Sequence, residues 1–101
     1  MPRMLPKEAE RLLSNVPEQF TFRCSNGDTY WNLRDLSRAV SSMNADVFSF
    51  HVNQHKNDFA NWIADVIGDH TLARELWDTT NLATTTQRLA KRIVFLESRR
   101  G

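Results

Sequence analysis

Two hydrophobic periodicities divide this chain into a short ribbon flanked by helices. Ala9, Leu12, Leu13 and Val16 repeat at helical spacing behind Pro6, a residue tolerated at the first helical position, with Glu8 and Glu10 near the positive end. Pro17 stops this segment, which predicts a short amphipathic helix or arm over residues 1–17. Phe20-Thr21-Phe22-Arg23-Cys24 then alternates large apolar with polar residues, the period of a half-buried strand. Asn26-Gly27, within Ser25-Asn26-Gly27-Asp28, predicts a tight turn with positive φ at both central residues, and Thr29-Tyr30-Trp31 resumes as the returning strand. A two-stranded ribbon is marginal in water, so its aromatic face is expected to rest on helices.

Asn32 is the expected cap of the next helix, with Asp35 favouring its positive end and Leu33, Leu36, Val40 and Met43 forming the buried stripe. Asn44-Ala45-Asp46 is a break, and Asp46 is read as the cap of a short helix covering Val47 to Gln54. The clearest periodicity follows: Phe59, Trp62, Ile63, Val66 and Ile67 fall at i, i+3, i+4, i+7 and i+8. Asp58 is read as its cap and Gly68 as the left-handed residue that ends it. Asp69 is the expected cap of a further segment in which Leu72, Ala73, Leu76 and Trp77 repeat the pattern. Trp62 and Trp77 are therefore expected in the core, while Trp31 either covers the ribbon or anchors a partner. After a turn at Thr79-Thr80-Asn81, Thr84-x-x-Gln87 reads as a capping box, and Leu89, Ala90, Ile93, Val94 and Leu96 line a last helix. The predicted fold class is α+β, mainly α: an N-terminal β-hairpin packed on a bundle of four to five short helices, with residues 18–101 as a single compact domain.

Composition narrows this picture. With 101 residues, 41% hydrophobic and 25% charged, the chain matches one globular domain. A domain of that size buries roughly two-thirds of its unfolded surface without metal or disulfide staples. Its one cysteine, Cys24, excludes an intramolecular disulfide, and Met1 to Pro6 contains no apolar run suited to a signal peptide. No segment approaches the length of a membrane span, so the expectation is a soluble protein of a reducing compartment, the cytoplasm. The net charge of +1 conceals a gradient: residues 1–50 net zero, residues 51–78 net −3 and residues 79–101 net +4. An acidic middle and a basic tail either attract each other or address different partners.

Candidate chemistry concentrates in His51, Asn53, His55, Asn57, Asp58, Asn61 and Asp65. His51 and His55, spaced i, i+4, share a helix face with Asp58 a turn away, a loose zinc set without the intervening glutamate of zinc-hydrolase helices. The structural reading of the same residues is amide satisfaction at a tight junction between helices. Cys24 lies beside a turn with no recognisable base, and neither a Gly-x-Ser-x-Gly elbow nor a phosphate-cradling glycine loop occurs, so catalysis is not expected. Arg88, Lys91 and Arg92 share a broad face of the last helix, extended by Arg99 and Arg100. These five are candidate nucleic-acid contacts, although cations also gather at helix C-termini for dipole reasons.

The block from Phe48 to Asp69, with Leu72-Ala73 and Leu76 behind it, resembles a small archaeal and bacterial domain family of unknown function. The motif Phe-x-x-His-Val-Asn, then Asn-Asp-Phe-Ala-Asn-Trp-Ile-x-Asp-Val-x-Gly-Asp, is matched at His51, Val52, Asn53, Asn57 to Ile63, Asp65, Val66, Gly68 and Asp69. The hairpin and the Asn32–Met43 helix also resemble that family's N-terminal part. The resemblance implies a compact domain, sometimes joined to unrelated modules, and offers His51, Asn53, Asn57, Asp58 and Asn61 as a binding patch. The leading expectation is a non-enzymatic interaction or regulatory domain that binds a protein partner or itself, with no cofactor, membrane or small-molecule substrate. The alternatives are a nucleic-acid-associated protein using the basic helix and a metal-dependent site at His51, His55 and Asp58.

Overall fold

A computed structural model describes residues 4–100 of the chain. Residues 1–3 of the expected arm, and Gly101, lie outside the described residues. The fold is α+β and mainly helical, with one two-stranded antiparallel ribbon and six α-helices among the described residues. The order is α1 (Pro6–Leu13), a 3-10 turn (Glu18–Phe20), β1 (Phe22–Arg23), β2 (Thr29–Tyr30), α2 (Leu33–Val40), α3 (Ala45–His51), α4 (Asp58–Trp62), a π-helical turn (Ile63–Ile67), α5 (His70–Trp77) and α6 (Leu82–Arg99).

Helix α1 is helix rather than loose arm. Ala9, Leu12 and Leu13 are buried, and the helix packs against α6 and α2. Its exit is tied down by the Val16 amide donating to the Trp31 carbonyl at 2.8 Å. Helix α6 is the long member, 18 residues, and it spans the back of α1, α2 and α5. Phe59, Leu33, Leu36, Ile63, Leu72, Leu76, Leu89 and Leu96 fill the centre and are each fully enclosed. The aromatic face of the ribbon rests on this core: Phe22 stacks on Tyr30 at 5.8 Å and meets Phe59 and Trp62 at 5.0 and 5.8 Å.

Several local expectations are corrected. The hairpin register pairs Phe22 with Tyr30 and Arg23 with Thr29, and Cys24 accepts from the Gly27 amide while donating to the Asp28 carbonyl. Three residues therefore form the loop, and only Gly27 takes a positive φ, +96°. Asn26 avoids the left-handed region because its side-chain oxygen accepts from the Asp28 amide at 2.9 Å, an Asx turn. Phe20 leaves the strand for the 3-10 turn and is half exposed, its carbonyl held by the Trp62 indole N–H at 2.8 Å.

Helix caps move to asparagine. Asn44 rather than Asp46 caps α3, Asn57 rather than Asp58 caps α4, and Asn81 rather than Thr84 caps α6. Asn32 and Asp69 cap α2 and α5 as expected. Beyond α4 the chain widens into the π-helical turn, because the Gly68 and Asp69 amides both donate to the Ile63 carbonyl, at 2.7 and 3.2 Å. Gly68 ends it in the left-handed region at φ +89°. The inserted residue turns Val66 part-way out of the core, while Ile63 and Ile67 stay buried. On α6, Val94 faces outward because Leu89, Ile93 and Leu96 already fill its narrow inner stripe.

Candidate functional site

The motif residues form an internal brace rather than an open patch. Helix α3 ends at His51, not Gln54, because the chain turns back: the Asn53 amide donates to the Lys56 carbonyl at 2.9 Å, and Val52 bridges Asn57. His51 is 4% exposed and has both ring nitrogens occupied. The Ser25 amide donates to Nε2 at 3.1 Å, which leaves the proton on Nδ1 to be donated to Asp58 Oδ2 at 2.9 Å. Lys56 Nζ donates to the same carboxylate oxygen at 2.9 Å. Partial burial pushes the Asp58 carboxyl up, but the hydrogen bonds from Lys56 and then His51 outweigh it and hold the group below its ordinary value.

Asn57, 3% exposed, accepts from the Ala60 amide at 2.9 Å and donates to the Leu76 carbonyl at 2.8 Å, fastening α4 to the end of α5. Asn53 donates to the Ser49 carbonyl at 3.0 Å and accepts from the His55 amide at 2.9 Å. Of the five proposed patch residues, Asn61 alone is exposed. His51 and Asn57 are turned inward, so the patch read from the sequence is not a contact surface as a whole. The driving cause is amide satisfaction: a helix end, a turn and a helix start meet within seven residues, and their orphan groups need these side chains.

The metal set does not assemble. His55 sits at the exposed tip of the 53–56 turn, since α3 stops before reaching it and the i, i+4 relation with His51 lapses. Among the described residues no group of three His, Cys, Asp or Glu side chains is placed to hold a metal ion. The reading of Cys24 as lacking a base is also corrected: its Sγ lies 3.6 Å from His51 Nε2. Twenty-seven positions separate the two, so no local spacing could have shown it.

The basic face of α6 is likewise partly spent inside the molecule. Arg92 makes a two-pronged ion pair with Asp69, Nε to Oδ2 at 2.8 Å and an Nη to Oδ1 at 2.9 Å, with side chains 13% and 1% exposed. Arg88 donates to the Glu75 carbonyl and stands 4.0 Å from the Asp78 carboxylate. Arg99 and Arg92 lie over the Phe95 ring at 5.0 and 5.1 Å. Lys91 and Arg100 are exposed, and neither meets a carboxylate among the described residues.

What the sequence missed is Trp77. Expected in the core, it is 50% exposed at the last position of α5, because Leu72, Ala73 and Leu76 complete the buried stripe without it. It borders an open cleft of about 620 Å³ lined also by Arg74, Glu75, Asp78 and Arg88. A second cleft of about 290 Å³ shares Glu75 and Arg88 and continues along Lys91, Arg92 and Phe95. Adjoining at Glu75 and Arg88, the two clefts make up the α5–α6 groove, with Trp77 in the first, Phe95 in the second, and both cations and the acids Glu75 and Asp78 along the lining. No family model, curated protein or solved structure matches the chain.

Proposed function

We propose that this chain is a non-enzymatic binding domain that recognises a protein partner through the α5–α6 groove, with Trp77 as the anchor. The observation that carries the reading is a half-exposed tryptophan in a groove whose Arg74 and Lys91 are exposed and meet no carboxylate among the described residues. Tryptophan and arginine are among the residue types that dominate protein-interface energetics. The complementary partner segment presents an apolar side chain to Trp77 and a carboxylate to Arg74 or Lys91.

Mixed charge favours protein over nucleic acid. Glu75 and Asp78 line the groove, and Asp69 neutralises Arg92, so the field on a phosphate backbone is much weaker than five cations imply. Membership of the prokaryotic domain family that the Phe48–Asp69 block resembles, and a reducing cytoplasmic setting, belong to the same proposal; the free, buried Cys24 supports the second. No helix among the described residues is long and apolar enough to cross a membrane.

Selection of a displayed random peptide library on the purified domain tests the reading. Enriched peptides are expected to combine an acidic residue with a large apolar one, and Trp77→Ala is expected to weaken them at least about tenfold. A single-stranded oligonucleotide serves as the rival probe. Salt-sensitive oligonucleotide binding that Arg88→Ala and Lys91→Ala remove, with no peptide enriched, overturns the protein reading in favour of nucleic acid.

A further inference from the structure

The base of the hairpin holds chemistry that the binding groove does not use. Cys24 is 6% exposed and immediately precedes the exposed turn at Ser25 and Asn26. Its Sγ is 3.6 Å from His51 Nε2, and His51 Nδ1–H is held by Asp58 at 2.9 Å. Thiol, imidazole and carboxylate stand in the order of nucleophile, base and orienting group. The Asp58 carboxyl, held below its ordinary value by Lys56 and His51 against partial burial, supplies the anion that stabilises an imidazolium.

An independent observation points into the same spot. Phe22, Cys24 and Tyr30 share one face of the ribbon, with Cys24 and Tyr30 diagonal across it. Tyr30 is 3% exposed, and its hydroxyl meets no oxygen or nitrogen partner. Burial first, and hydrogen bonding towards the Cys24 side chain next, hold this phenol well above the ordinary range, so it stays protonated beside the sulfur and meets no oxygen or nitrogen acceptor. An oxygen added to Sγ supplies that acceptor.

We propose that Cys24 is a modification site, oxidised to sulfenic acid by small hydroperoxides with His51 as the base. His51 Nε2, which at rest accepts from the Ser25 amide at 3.1 Å, gives up that bond to take the thiol proton, and the thiolate attacks the terminal hydroxyl oxygen of the peroxide. The S–O bond forms as the O–O bond breaks, and the electron pair leaves on the distal oxygen. That oxygen recovers the proton from the imidazolium and departs as water or an alcohol. Sulfur is oxidised by two electrons and the peroxide is reduced by two. Tyr30 donates to the new oxygen. Burial beneath the turn restricts the oxidant to small molecules, which separates this thiol from an openly reactive one.

The full chain is exposed to hydrogen peroxide, the reaction stopped with catalase, and the protein unfolded. Remaining thiol is then counted with a chromogenic disulfide, and sulfenic acid is trapped by a 1,3-dione for mass spectrometry. The folded wild type is expected to react at least about tenfold faster than the same chain in urea, and His51→Asn to lose at least about tenfold of that rate. Tyr30→Phe, which keeps the ring on Phe22, is expected to slow the folded protein several-fold and remains informative should His51→Asn fail to fold. A folded wild type that reacts no faster than the unfolded chain overturns the proposal, because burial then only shields the thiol. So does a folded His51→Asn or Tyr30→Phe variant with the wild-type rate.

Discussion

Asp58 accepts from Lys56 and His51 on one carboxylate oxygen, and its side chain is 30% exposed. Its contribution to stability is therefore modest and depends on charge. Because the folded carboxyl lies below the ordinary value of 3.8, the stabilisation is complete above that value and is lost as pH falls through the lower, folded one. Asp58→Asn is expected to cost about 1–2 kcal/mol near neutral pH, and urea denaturation of both proteins from about pH 6 to about pH 2 should show the gap closing at the acidic end. A gap that stays constant argues that shape rather than charge matters there. Asn57 is the stiffer test of the brace, since it is buried with both ends of its amide in use. Asn57→Ala is expected to cost about 2–3 kcal/mol in denaturant titrations. Asn57→Asp retains the cap acceptor for Ala60 but sets an oxygen against the Leu76 carbonyl, so it should recover little of that loss. These roles were half legible. Asn and Asp at a helix junction announce local amide satisfaction, but the Leu76 carbonyl lies 19 positions away and no local spacing names it.

At the scale of elements, the stripes of α1, α2, α4 and α5 follow the periodicity of their apolar residues; α2, α4 and α5 start behind a polar cap, whereas α1 starts at Pro6 behind Leu5. Errors fell on which polar residue caps. Asparagine displaced aspartate or threonine at three helices, one to three positions upstream, within the ordinary uncertainty of a boundary read from pattern alone. The junction from the π-helical turn to α5 concentrates special geometry: Gly68 in the left-handed region, then Asp69, which caps α5 through the Leu72 amide and holds Arg92 of α6. Arg92→Ala leaves a carboxylate that is 1% exposed without its cation and is expected to cost about 3 kcal/mol. Lys91→Ala, its exposed neighbour, should shift the thermal midpoint hardly at all. Equal effects from the two would mean that Arg92 acts as surface charge rather than as a strut between α5 and α6.

On the scale of the whole molecule, the helices and the ribbon of the described residues enclose one core, and the groove between α5 and α6 is left over once the apolar stripes are satisfied. Trp77→Ala is expected to cost less than about 1 kcal/mol in stability, since half of the side chain already meets water, while removing peptide capture. A loss of stability comparable to that of a core residue such as Phe59 would return Trp77 to a structural role. The fold class, the ribbon, the order of helices and most of the core were set by local information: hydrophobic period, turn residues and caps act over a few positions and are written directly in the chain. Tertiary structure decided what each polar or aromatic residue faces. It turned His51 and Asn57 inward, brought Cys24 to His51 across 27 positions, drew Arg92 onto Asp69 and left Trp77 outside. Those outcomes depend on the packing of elements distant in sequence, whose relative placement no periodicity encodes.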